Sequence, residues 1–409
     1  QRIAAYTINI GGSLVGIAAF AATAWWELSP VWWFGLALAC AAYFLWETGQ
    51  LSVANTTLLA CAVGAVGVAG WRVGDSSFYW SPYYAIRYND KARDISVNGI
   101  SHQMMFLRAQ AGLAYSLPYV MRRDAGLPPT EDVLIIGAGS GNDVAHALAH
   151  GVRHIDAVEI DPVIARLGRE NHPDRPYDDP RVRLIIDDGR GFLRRTDRKY
   201  DVVVYALVDS LTLHSNYSSA RLESFLFTEE AMAEVRRHLK PGGVFVAYNY
   251  FRQAWIVARL HNMMRGAFDC QPILFSVPPR DTIRDVEAEG TYMAALIAGE
   301  TEAIDVLREK LTESGGYRLY ATDMKRLHSE NGFVAAGEPD TGGLHLVPTK
   351  LVQTREWQIP TDDWPFLYLR EPRIPLHNWR MLGLMLVLSL GLVSVFSPGG
   401  RPRVNPHFF

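Results

Sequence analysis

The chain has 409 residues, a net charge of −3 and 49% apolar residues. That length accommodates a full α/β domain with additional elements, and the weak net charge excludes a global basic field of the kind that draws nucleic acid. The three cysteines, Cys40, Cys61 and Cys270, have neither disulfide nor metal-ligand spacing, and no His/Cys/Asp cluster suggests a metal site.

Residues 1–71 are expected to form three transmembrane helices. Ile8–Trp26, Val31–Trp46 and Leu51–Trp71 are apolar runs without an internal Asp, Glu, Lys or Arg, and they are roughly of membrane-spanning length. Tryptophans cluster at their ends, where an interfacial belt would place them. Arg72 follows the third run and puts the next segment on the cytoplasmic side by the positive-inside rule, although Arg401 and Arg403 argue weakly the other way. The chain begins at Gln1 and stops soon after another apolar run, so it reads as part of a longer integral protein of the inner membrane.

Residues 72–130 suggest a small β-rich unit followed by a helix. Strand signals lie in Tyr79–Tyr88 and Arg93–Val97, turns at Asn89-Asp90 and Asn98-Gly99, and helical apolar spacing over His102–Arg122.

Residues 131–300 alternate strand and helix signals. Val133–Ile136 leads into Gly137-Ala138-Gly139-Ser140-Gly141. A helical pattern follows, and a second apolar run ends in Glu159. This is the form of a strand, a tight glycine turn, a helix N-terminus and an acid placed for ribose hydroxyls. Further strands are expected at Val182–Ile186, Asp201–Ala206, Val244–Asn249, Ile273–Val277 and Tyr292–Ala298. Helices are expected at Asn142–His150, Pro162–Glu170, Glu229–His238 and Gln253–Phe268. The expected fold is α/β, a Rossmann-like seven-stranded sheet of the class I methyltransferase and spermidine synthase type, with transmembrane α-helices at both ends.

Residues 301–380 comprise an amphipathic helix, Thr301–Ser314, and an irregular segment packing on the domain or the membrane. Residues 381–396 form a further apolar span and 397–409 a tail. Asp362-Asp363-Trp364-Pro365 suggests either a lid or dock, or an acidic turn anchored by Trp364. Arg190, Arg194, Arg195 and Arg198 suggest a solvated or lipid-facing basic surface.

Together these motifs resemble the membrane-fused spermidine synthase-like family, over roughly Tyr79 to Asn249 and again near Pro360–Arg380. Ser81-Pro82-Tyr83, Asn98-Gly99 and Gln103 look like the family's N-terminal β-unit, whose glutamine contacts the cofactor. Glu159-Ile160-Asp161 matches the ribose-binding motif, although Asp161-Pro162 reads equally as a helix cap. Asp188-Gly189, with Asp187 before it, matches the pair at the adenine edge.

Two departures stand out. The acid that the family carries inside the glycine loop, and which holds the ammonium of decarboxylated S-adenosylmethionine, is Ser140 here. The acid pair expected after the fourth strand is reduced to Asp209, because its partner position is Ala206.

The resemblance therefore implies S-adenosylmethionine (or its decarboxylated form) as cofactor, held by Gln103, Gly137, Gly139, Ser140, Gly141, Glu159, Asp161, Asp187, Asp188 and Gly189. It implies methyl transfer to a membrane-associated acceptor, with Asp209 and His214 as catalytic candidates. The alternatives are a non-catalytic subunit of a membrane complex with a relict cofactor fold, and an aminopropyltransferase with an altered amine site. The expected partners are the nucleoside, the lipid bilayer and other membrane subunits, with no nucleic acid.

Overall fold

A computed structural model of the chain describes residues 2–49, 52–69, 76–107, 113–208, 224–251, 253–287, 292–319, 344–371, 373–374 and 376–396. It opens with three helices, α1 (Arg2–Trp25), α2 (Pro30–Glu47) and α3 (Val53–Ala69). Their apolar side chains are largely exposed, among them Ile8, Trp25, Phe44 and Val53. By length and composition alone, one helix among the described residues suffices to cross a membrane, Tyr6–Trp25 within α1, while the apolar part of α3, Val53–Val68, is shorter. The expectation of spans at both ends is corrected to this single N-terminal candidate. Helix α2 carries Pro30 and Glu47 at its ends, and the C-terminal helix spends its first turns on polar residues such as Asn378 and Arg380.

The next unit is an antiparallel meander, β1 (Ser76–Trp80), β2 (Ala85–Asn89), β3 (Asp94–Val97) and β4 (Ile100–Met104). Asn98 and Gly99 both have positive φ, 51° and 81°, as a two-residue primed turn requires. This turn pairs Val97 with Ile100 and makes His102–Met104 a strand. Among the described residues the expected helix over His102–Arg122 is therefore replaced by strand at its start, where hairpin pairing overrides the helical spacing, and is present as α4 (Leu113–Asp124). Ile86, Tyr88, Ile95, Val97 and Met105 pack on Val163, Ile164 and Leu167, so the meander sits against the helix that contains those three residues.

The main sheet and its helices comprise β5 (Asp132–Ile136), α5 (Asn142–Ala149), β6 (His154–Glu159), α6 (Pro162–Asn171), β7 (Val182–Ile186), α7 (Gly189–Arg195), β8 (Tyr200–Ala206), α8 (Glu229–Arg237), β9 (Leu239–Asn249), α9 (Ala254–Phe268), β10 (Ile273–Val277) and β12 (Met293–Gly299), while the short strand β11 (Thr282–Arg284) lies outside that sheet. Its order is β10-β12-β9-β8-β5-β6-β7. Strands β5 to β9 run parallel, and β12 lies antiparallel to both β9 and β10. Val133, Leu134, Ile135, Val202, Val203 and Phe245 are fully buried, as strands covered on both faces demand. The chain moves outward from β5 to β7, then returns to place β8 beside β5. That reversal opens a crevice at the strands' C-terminal ends, where ligands bind in sheets of this kind.

Helix α10 (Thr301–Ser314), short strands β13 (Tyr317–Leu319), β14 (Leu344–Leu346) and β15 (Lys350–Val352), and helix α11 (Leu376–Phe396) complete the chain. Between β15 and α11 a strap crosses the back of the domain. Arg259 of α9, fully buried, donates to the carbonyls of Phe366 and Leu369 at 3.2 and 2.9 Å and lies 4.8 and 5.5 Å from the rings of Trp255 and Trp364. The Asp362 segment thus docks on the soluble domain. Arg190, expected on the surface, is buried beneath it. Its guanidinium bonds Glu234, Thr228 and Asp362, where a partner is available for every charge.

Candidate functional site

Four loops meet at the switch point. Tyr84, His102, Gln103, Gly137, Gly139, Asp143, Glu159, Asp187, Asp188, Gly189, Ala206 and Val208 are among the residues that line a crevice of about 900 Å³, part of it open to solvent. The glycine loop after β5 holds Gly137 and Gly139 at φ of 75° and 56°. A Cβ on Gly139 would sit 2.6 Å from Gln103 Oε1, so only glycine permits the close approach. Gln103 closes over the loop by accepting the Ser140 N–H at 2.8 Å. Tyr177 braces it from beneath, donating its hydroxyl to the Gly139 carbonyl at 2.7 Å.

Glu159 ends β6 and is buried. Its two oxygens accept the N–H groups of Gly139 and Asp161, at 2.8 and 2.9 Å. Burial pushes its carboxyl up to about 7, against those hydrogen bonds. A carboxylate has about four acceptor positions, and Glu159 lines the crevice. Asp187 pairs with Arg195, and Asp188 caps α7 by accepting the Gly191 N–H at 2.6 Å.

The remaining candidates fall elsewhere. Asp161 caps α6 by accepting the Val163 and Ile164 N–H groups at 2.9 and 3.1 Å, and takes the Ser81 hydroxyl on its other oxygen. It is fully buried and does not line the crevice. Ser140 and Gly141 also lie outside the lining. The Ser140 backbone is pressed against α6, so that a Cβ on Gly168 would come within 2.5 Å of the Ser140 carbonyl oxygen. The catalytic candidates Asp209 and His214 fall outside the described residues.

Sequence reasoning passed over three groups. Asp143, in the first turn of α5, lines the crevice and accepts the Tyr248 hydroxyl from the end of β9. Burial pushes its carboxyl up to about 7. Tyr115 lines the same wall, and its ring meets that of Tyr248 edge-on at 6.1 Å. His102 lines the opposite side, with Nδ1 buried and unpartnered and its pKa lowered to about 4 by burial. An acid two residues after the glycine loop was a legible signal for Asp143. Nothing local marked Tyr115 or Tyr248.

Sheet order and glycine loop define a Rossmann-like domain with a crevice at the switch point of its sheet. Residues 125–281 match the spermine/spermidine synthase domain, and this part of the chain is spermidine-synthase-like. The polyamine aminopropyltransferase of Pectobacterium carotovorum subsp. carotovorum (strain PC1) is 38% identical over 121 residues, covering 29% of this chain and 39% of that protein. The polyamine aminopropyltransferase of Korarchaeum cryptofilum (strain OPF8) is 34% identical over 122 residues, covering 29% and 35%. The chain thus spans well under half the length of these relatives. A spermidine synthase crystallised with the transition state analogue AdoDATO aligns over 76% of this chain and 87% of its own, at 17% identity and a TM-score of 0.40.

These relatives overturn the expectation of S-adenosylmethionine as a methyl-donating cofactor. The relatives that match this chain over about 120 residues are named for aminopropyl transfer.

Proposed function

We propose that the crevice binds decarboxylated S-adenosylmethionine as a substrate and that the protein transfers its aminopropyl group to an amine. The observation that carries this reading is Glu159, a buried carboxylate at the end of β6 that lines the crevice inside a spermidine-synthase-like domain. Ribose hydroxyls donate to a carboxylate so placed. Gln103, Gly137 and Gly139 would line the nucleoside, and Asp187, Asp188 and Gly189 its adenine side. Ser140, Gly141 and Asp161 would support the loop and helix behind them.

In the transfer, the amine nitrogen attacks the carbon next to the sulfonium sulfur. The carbon–sulfur bond breaks, methylthioadenosine leaves, and the amine gives up a proton. Asp209 and His214 are the proposed acceptors of that proton. We also propose that α1 anchors the protein in the cytoplasmic membrane with the crevice on the cytoplasmic side, and that the exposed apolar faces of α2, α3 and α11 lie against lipid or other membrane subunits.

The test is release of methylthioadenosine when the detergent-purified chain meets decarboxylated S-adenosylmethionine and a panel of di- and polyamines. Turnover abolished by Glu159→Ala is expected. No release with any amine would overturn the reading.

A further inference from the structure

Asp143 is a carboxylate buried without a cation. It is 8% exposed, and among the described residues no Arg, Lys or His forms an ion pair with it. The Tyr248 hydroxyl donates to its Oδ1. An acid that serves only the dipole of α5 would lie at the surface, where hydration costs nothing. Burying one with no cation paired to it is costly unless a positive charge arrives.

The surroundings suit such a charge. Asp143 lines the crevice together with Tyr115, and Tyr115 stacks on His146 at 5.1 Å, which holds its ring in place. An aromatic ring and a buried carboxylate in one crevice both attract an alkylammonium. Ser140, where the family resemblance would set an acid, is 1% exposed and backed against Gly168. Its hydroxyl does not reach the crevice lining. The negative charge needed at this end of the crevice is therefore supplied from the first turn of α5 instead of from the loop.

We propose that Asp143, oriented by Tyr248, is the group that recognises the primary ammonium of an aliphatic amine in this crevice. The inference rests on the aminopropyl-transfer reading. The ammonium belongs either to the donor's aminopropyl arm or to the acceptor, and one calorimetric experiment on the full chain in detergent separates them. Three probes are titrated: methylthioadenosine, which has no ammonium; decarboxylated S-adenosylmethionine; and putrescine added to protein saturated with methylthioadenosine.

The native chain is expected to bind decarboxylated S-adenosylmethionine at least about tenfold more tightly than methylthioadenosine. Asp143→Asn keeps the volume and the Tyr248 contact, and it should erase that difference while leaving methylthioadenosine affinity within about twofold. Tyr248→Phe keeps the charge and should lose only part of the difference. If Asp143→Asn spares the donor but abolishes putrescine binding, the recognised ammonium is the acceptor's. Unchanged binding of both amines by Asp143→Asn overturns the proposal while the nucleoside reading stands. So does an equal loss for methylthioadenosine, which marks a structural role. A native chain that binds neither nucleoside overturns the functional reading itself.

Discussion

Arg190 in the first turn of α7 and Asp362 in the strap stand 172 residues apart and are joined by two parallel hydrogen bonds, 3.0 and 2.9 Å long. Glu234 of α8 takes the other side of the same guanidinium at 2.6 Å, and Thr228 donates to Asp362 at 2.7 Å. Three segments distant in sequence meet on one charge, in the helix that follows Asp187 and Asp188.

Removing Asp362 leaves buried Arg190 with Glu234 but without its second carboxylate. Asp362→Ala should lower unfolding stability by about 2 kcal/mol, less than for a fully buried pair because the Asp362 side chain is 32% exposed. Urea denaturation of the two proteins measures it, and a change below about 0.5 kcal/mol would show the strap to be energetically idle.

Arg259 should matter more. Its guanidinium gathers strap carbonyls between two tryptophan rings with no exposure to solvent. Arg259→Met retains the apolar stem but strands those carbonyls, at a cost of about 3 kcal/mol. Hydrogen exchange should then quicken across residues 360–370 before it quickens in the sheet. Uniform protection would refute the clamp.

Gly168 tests the backing of the glycine loop. A methyl there meets the Ser140 Cα and carbonyl oxygen at 2.6 and 2.5 Å, and backbone cannot swing aside as a side chain can. Gly168→Ala is expected to destabilise by about 3 kcal/mol and to weaken methylthioadenosine binding, although it touches no ligand. A folded variant with native affinity would count against the loop's reliance on α6.

The pH dependence follows from two buried acids. Glu159 and Asp143 have ordinary values of 4.5 and 3.8 and are pushed up to about 7 by burial. Between those limits the folded chain holds protons that the unfolded chain has released. Their contribution to stability is therefore complete below the ordinary values, falls as pH rises, and is gone above about 7. Denaturation series from about pH 5 to about pH 8 should show this decline, with Glu159→Gln and Asp143→Asn each removing part of the slope. Identical slopes in all three proteins would refute the assignment.

Much of the central fold was readable because its signals are local. All seven sheet strands emerge within a few residues of where apolar runs and turn residues set them. The errors came where distant partners decide. His102–Met104 joins a hairpin because Asn98-Gly99 turns the chain back, whatever its helical spacing. Arg190 resembles any surface arginine until Asp362 is folded over it. Within the crevice, Glu159 and the glycines carry a pattern, whereas Tyr248 reaches Asp143 across 105 residues, a distance that periodicity does not bridge.

The strap also sets an order of events. A chain leaving the ribosome has β5 to β9, the glycine loop and both halves of the Arg190–Glu234 pair long before Pro360 is made. Until then Arg190 lacks its second carboxylate and Arg259 faces no carbonyls. The domain is therefore finished from its far end. A message cut short upstream of the strap would yield a protein with every crevice residue present and its rear wall open, a species for quality control to find.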